Sequence, residues 1–206
     1  MPDRADAPPR AWQRMLSGRR LDLLDPSPLD IEIADIAHGL ARVARWNGQT
    51  GGNHAFSVAQ HSLLVVDIVC ALDGAAAPDA RMAALLHDAP EYVIGDMISP
   101  FKAVVGGGYK AVEKRLESAV HLRFGLPAAT PRPLKAKIKK ADSIAAFFEA
   151  TELAGFSRTE ATKFFGEPRG ITLDMIPIAP MPAIEAQRRF AERFAEIEAN
   201  RLSAAG

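Results

Sequence analysis

Residues 85–96 read Leu-Leu-His-Asp-Ala-Pro-Glu-Tyr-Val-Ile-Gly-Asp. The run is apolar up to His87, so it predicts a buried helix that delivers an imidazole and a carboxylate, His87-Asp88, at its inner end. A buried polar group without a partner costs roughly 2–7 kcal/mol, and a charged one more. A bound metal ion compensates that cost, and adjacent His and Asp side chains can reach the same ion. The pair therefore points to a metal-dependent hydrolase, provided that further ligands exist. Pro90 disfavours helical geometry at Ala89 and bends or ends the helix beside the pair.

Two further metal-capable side chains lie in apolar helical runs. His61 falls in Phe-Ser-Val-Ala-Gln-His-Ser-Leu-Leu-Val-Val (56–66), and Asp142 in Ile-Lys-Lys-Ala-Asp-Ser-Ile-Ala-Ala-Phe-Phe (138–148). Imidazole and carboxylate together suit one divalent transition metal (manganese, cobalt, zinc, nickel or iron) better than calcium, which prefers oxygen shells.

The order His61, His87-Asp88, Asp142 resembles the HD-domain phosphohydrolases, and the resemblance is closest to their bacterial 5′-deoxynucleotidase branch. Glu91 and Asp96 stand at the spacing of that branch's two carboxylates after the His-Asp pair. Residues 95–102, Gly-Asp-Met-Ile-Ser-Pro-Phe-Lys, look like its glycine-aspartate turn and proline-lysine ending, and Arg45-Trp46 stands near the place of its Arg-Trp pair. The likeness runs from about Arg45 to about Glu152. It implies a metal held by His61, His87, Asp88 and Asp142, with Glu91 and Asp96 handling protons; Asp96 is the favoured acid/base and Glu91 its orienting partner. It further implies a nucleotide held by Arg45, Trp46 and Lys102. The implied reaction releases orthophosphate from deoxyribonucleoside 5′-monophosphates.

Three rival readings carry different expectations. A deoxynucleoside triphosphate triphosphohydrolase uses the same ligands and wants a wider basic pocket, for which Arg19, Arg20, Arg42 and Lys102 are the basic residues considered. A guanosine tetraphosphate hydrolase is disfavoured by Tyr92, where related enzymes carry an acid. A nucleotide-sensing module with a vestigial site is disfavoured by the presence of both ligands and proton handlers.

Around this site the helical pattern extends through the chain. Ile33, Ile36, Ala37, Leu40 and Val43 predict a helix over 33–45, closed by Trp46-Asn47-Gly48. Asn47 to Asn53 reads as a glycine-rich loop. Ser57 with Gln60 forms a capping-box pattern that opens a helix running to about Leu72 and apolar on nearly every side, with His61 in its first turn. Pro78 opens the helix that leads to His87. Gly95, Pro100 and Gly106 to Gly108 mark turns before a helix on Tyr109, Val112, Leu116 and Val120. Leu134, Ile138, Ala141, Ala145 and Phe148 mark the next helix, with Asp142 beside their stripe. Ser157 with Glu160 caps a short helix, and Ile184, Phe190, Phe194 and Ile197 mark a terminal one after Pro182. The expected fold is all-α, an HD-domain helical bundle over residues 29–206 as a single domain, with residues 1–28 as an extended arm anchored by Trp12 and Leu23-Leu24. A short extended segment fits 171–178.

The 206 residues are 48% hydrophobic, with 25 basic against 25 acidic side chains. That balance describes an ordinary globular chain and gives no electrostatic reason to expect nucleic acid as a partner. The acidic and proline-rich start does not suit a signal peptide, no apolar run reaches membrane-span length, and the lone Cys70 sits among apolar residues. A cytoplasmic protein without membrane partners, acting on a small-molecule nucleotide and forming a homodimer, is the expectation. His38 and His121 have no motif partner and read as structural or exposed, while His54 is left open.

Overall fold

The computed structural model describes residues 10–74, 76–98 and 107–205. Its framework is helical: α1 (Ile33–Leu40), α2 (Val58–Asp73), α3 (Pro78–Leu85), α4 (Glu91–Ile94), α5 (Gly107–Arg123), α6 (Arg132–Glu152), α7 (Arg158–Phe165) and α8 (Ala183–Ala205). Among the described residues the sole sheet is a hairpin of β1 (Trp12–Arg14) and β2 (Arg20–Asp22). The expected all-α class holds. No helix among the described residues is long and apolar enough to cross a membrane.

Helix α2 is the centre. Val58, Ala59, Leu64, Val65, Val66, Ile68 and Val69 are all buried, as an almost wholly apolar helix requires, and α2 packs against α3, α6 and α8. Its start is fixed by the predicted box: Ser57 Oγ accepts from the Gln60 amide at 3.3 Å, and the Gln60 side chain turns back to the Ser57 N–H. Buried Gln60 also donates to the Ala179 carbonyl at 3.0 Å, which ties the segment before α8 to the same turn. Gly74 ends α2 in the left-handed conformation. The second predicted box, Ser157 with Glu160, caps α7.

Several boundaries differ from the sequence pattern. Helix α1 stops at Leu40 instead of Arg45; Ala44 bridges to Ser57, and a 3-10 turn occupies Arg45–Gly48. Within the predicted glycine turn, Gly107 and Gly108 open α5, while Pro100, Gly106 and Lys102 lie outside the described residues. Leu173–Met175 form a 3-10 turn within the proposed extended segment, and Ile184 is 67% exposed on α8 instead of facing the core.

The largest correction concerns the amino-terminal arm. Residues 12–22 fold back as the hairpin, with Trp12 opposite Asp22 and Gln13 opposite Leu21. Its anchor is Leu21, which is fully buried, while Leu24 is exposed. The turn is pinned to α1 because the Ser17 N–H and hydroxyl both donate to the Asp35 carboxylate. Trp12 is covered by cations, with the guanidinium carbons of Arg10 and Arg20 at 4.8 and 4.7 Å from its ring centroid.

Helix α1 in turn sets the position of α4. A Cβ at Gly39 would lie 2.8 Å from both Tyr92 Cβ and the Tyr92 carbonyl oxygen, so only glycine permits this crossing. Gly39→Ala must push α4, and Glu91 with it, away from its place. Expected is a loss of about 1–3 kcal/mol in urea-induced unfolding, together with a fall in any activity that depends on Glu91.

Candidate metal centre

His61, in the first turn of α2, is completely buried. Its Nδ1 lies 2.5 Å from Glu149 Oε1, and a carboxylate that accepts there requires Nδ1 to carry hydrogen. His87 occupies the turn between α3 and α4, with Nδ1 2.8 Å from the Ala84 carbonyl. A carbonyl can only accept, so His87 Nδ1 is also an N–H donor. In the neutral rings each Nε2 then carries a lone pair. Both Nε2 atoms are buried and lack a well-aligned hydrogen-bond partner among the described residues.

Carboxylate oxygens converge on these two nitrogens. Asp88 Oδ2 is 3.2 Å from His87 Nε2 and 3.5 Å from His61 Nε2, and Asp142 Oδ1 is 3.3 Å from His61 Nε2. These contacts are close without the alignment of hydrogen bonds. Donors bound to one ion at about 2.1 Å stand about 3.0–3.5 Å apart at octahedral or tetrahedral angles, so the spacing and the donor types suit a divalent metal. His61, His87 and Asp88 bring ligand atoms within 4.8 Å of one another and can hold such an ion. Asp142 touches the group through His61, and its other oxygen accepts from Lys139 Nζ at 2.7 Å.

The surrounding charges act on each member of the group. Burial resists ionisation of Asp88 and Asp142, yet His87 beside Asp88 and His61 beside Asp142 hold both carboxyls well below the usual range. Burial and Arg45 oppose protonation of His61, but Glu149 and Asp142 prevail and push its pKa up to about 10. A metal binding at His61 Nε2 would therefore compete with a proton.

The sequence reading did not single out Glu149, which organises the site. It is fully buried on α6, seven residues after Asp142. Besides His61 Nδ1 it accepts from Arg45 Nε at 3.1 Å and from Trp46 Nε1 at 2.9 Å. Burial raises its pKa, but Arg45 and His61 outweigh burial and hold it at about 2. The available signal was an acid inside the apolar run 144–150, two turns after a proposed ligand.

The substrate-side residues are placed as follows. Arg45 Nη1 pairs with Asp96 at 3.0 Å, and its Nε with Glu149 at 3.1 Å. Trp46 and Asn47 have φ of 56° and 50°, a left-handed geometry uncommon for such residues, and the Trp46 bond to Glu149 helps hold it. The Trp46 ring packs against Phe156 and Phe165, so it is less open than the expected flat face. Arg45, Trp46, Glu91 and Asp96 line a cavity of about 560 Å³ together with Asp88 and Asp142. Glu91 is buried. The triphosphate reading's arginines lie elsewhere: Arg19 pairs with Glu32, Arg20 lies over Trp12, and Arg42 binds Gln187. His54 is exposed, and His121 is buried against the Pro127 carbonyl.

The fold and site thus define a helical protein with a histidine-aspartate group, His61 buried and His87 and Asp88 partly buried, that can hold a metal ion. No protein-family profile matches the chain. It is 57% identical over 184 residues to the uncharacterized protein RCAP_rcc00048 of Rhodobacter capsulatus, covering 89% of this chain and 94% of that protein. It is 30% identical over 168 residues to the uncharacterized protein YfdR of Escherichia coli, covering 82% and 85% respectively. The chain belongs to the family that these two proteins represent.

Because His61 must lose a proton to bind, the apparent metal affinity is expected to rise about tenfold per pH unit between pH 6 and 9, measured by competition with a chelator. In Glu149→Gln the rise is shallower, because the carboxylate that raises the His61 pKa is gone. Its affinity at pH 9 is weaker by about 10–100-fold, the usual cost of losing a group that orients a ligand.

Proposed function

We propose that this chain is a metal-dependent phosphohydrolase with an HD-domain bundle, releasing orthophosphate from deoxyribonucleoside 5′-monophosphates. The observation that carries the reading is the pair of buried, unpartnered Nε2 atoms of His61 and His87 converging with Asp88 at a cleft that also presents Arg45, Glu91 and Asp96. A structural metal site is closed by its ligands, whereas this group opens to a cavity of substrate size.

His61, His87, Asp88 and Asp142 would hold the ion, which when bound supplies Lewis acidity and a more acidic water. The remaining work falls to the chain. Arg45, clamped by Glu149 and Asp96, offers Nη2 to a phosphate oxygen, and Lys139 stands across the cleft beside Asp142. The oxygen of water bonds to phosphorus as the bond to O5′ breaks. Asp96 takes the proton of the water and returns a proton to O5′, and Glu91 orients the water. Arg45 holds one Asp96 oxygen at 3.0 Å and so fixes the carboxylate for this exchange. A preference for deoxyribose rests on the resemblance of Arg45-Trp46 to the Arg-Trp pair of the deoxynucleotidases.

One observation favours the triphosphohydrolase as a second reading. A further cavity of about 620 Å³ also reaches His87, Asp88 and Asp142, and it is lined by Lys110, Lys114, Lys135 and Lys139 with Glu113 and Glu117. Such a lining suits additional phosphates better than a monophosphate needs.

The test incubates metal-stripped protein, reloaded with manganese, cobalt, zinc or nickel, with deoxynucleoside mono- and triphosphates and their ribose counterparts. Orthophosphate from the deoxy monophosphates is expected. Asp96→Asn should slow the reaction by about 10²–10⁴-fold, and Asp88→Ala should slow it more. Tripolyphosphate from triphosphates would transfer the assignment to the second reading, and absence of product with every metal would leave a sensing module.

A further inference from the structure

Part of the lining of the 560 Å³ cavity is aromatic. Helix α7 places Phe164 and Phe165 there, joined by Phe156 and by Trp46. Trp46 packs on Phe156 at 5.5 Å and edge-on to Phe165 at 5.9 Å between ring centroids. Phe164 stands 6.3 Å from both Phe156 and Phe165, yet it is 64% exposed. The helix that carries it is well anchored, by the Ser157–Glu160 box and by buried Ala161. A rigid support that leaves a phenyl ring open to water beside a cavity is poor packing and good ligand design.

Most charged side chains of the cavity are tied to the metal group, and Glu91 lines the cavity beside them. Arg45, Asp88, Asp96, Lys139 and Asp142 are tied to one another, to Glu149 or to the ligand histidines. Ser143 is the hydroxyl-bearing side chain among the described lining residues, and its Oγ donates to the Lys139 carbonyl at 2.9 Å. Among the described residues, the aromatic part of the lining therefore offers ring faces more than hydrogen-bonding groups, with Lys163 Nζ 5.9 Å from the Phe164 ring centroid.

We infer that Phe164, backed by Phe156 and Phe165, is a stacking subsite for the planar base of the substrate, and that it reads flatness and area rather than base identity. This deepens the nucleotide reading and rests on it. Stacking discriminates by ring size, so purine nucleotides bind more tightly than pyrimidine nucleotides, while adenine and guanine are treated alike. A site that distinguished those two needs donors and acceptors at their edges.

The deciding experiment compares kcat/KM for dGMP with that for 2-deoxyribose 5-phosphate, which lacks a base, in wild type, Phe164→Ala and Phe164→Tyr. The dGMP-to-deoxyribose-phosphate ratio is expected to fall roughly tenfold or more in Phe164→Ala, the scale of one lost base-on-aromatic stack, and to be retained in Phe164→Tyr. The dAMP and dGMP values should agree within a few-fold. An unchanged ratio in Phe164→Ala overturns the inference, including the case in which that variant alters only the oligomeric state; so does strong discrimination between adenine and guanine. If wild type hydrolyses neither compound, the nucleotidase reading fails and binding decides this one. Trp46 is the sole tryptophan in a Trp12→Phe background, and its fluorescence reports a dGMP titration. Weaker binding after Phe164→Ala supports the subsite, and equal or absent binding overturns it.

Discussion

The carboxylate of Glu149 lies out of reach of water and accepts three hydrogen bonds, from His61, Arg45 and Trp46. An unpaired charge at that depth would be strongly destabilising, so the three donors are a condition of the fold as well as of the site. They come from α2 and from the 3-10 turn after α1, while Glu149 itself belongs to α6. One buried anion thus fixes the ring of His61, the guanidinium of Arg45 and a tryptophan held in left-handed geometry. Ligand orientation and the wall of the cleft depend on the same group, which couples them physically.

The surrounding charges make the same case for a cation. Asp88, Asp96, Glu91, Asp142 and Glu149 lie around one cleft with Arg45 and Lys139. Protonated His61 supplies one further positive charge in the metal-free protein. A divalent ion replaces that proton and balances the carboxylates better. Once His61 has lost its proton, the ion also gives both Nε2 atoms a partner that the described residues do not supply.

The sequence made the candidate ligands legible because each interrupts an apolar helical run; the structure brings His61, His87 and Asp88 into one group that can hold a metal, with Asp142 beside His61. The capping boxes at Ser57 and Ser157 were legible because they are local. Glu149 was not: its three partners come from positions 45, 46 and 61, and only the crossing of α2 and α6 brings them together. The amino-terminal hairpin escaped because its three-residue strands carry no alternating pattern, and what holds it is Leu21 in the core and Ser17 on Asp35. Helix α1 stops short of its apolar pattern because Ala44 pairs with Ser57, a contact between distant positions. The aromatic wall had the same cause, since Phe164 and Trp46 are far apart in the chain.

The central claim is that the Nε2 atoms of His61 and His87 are metal ligands while both Nδ1 atoms keep their protons. Nitrogen-15 spectra of the imidazoles, recorded before and after loading with zinc, test it most directly. The account predicts that on loading both Nε2 resonances move to the position of a ligating nitrogen, while both Nδ1 resonances remain those of N–H groups bound to Glu149 and to Ala84. Zinc that leaves both Nε2 resonances unmoved, or that binds through Nδ1, would contradict it.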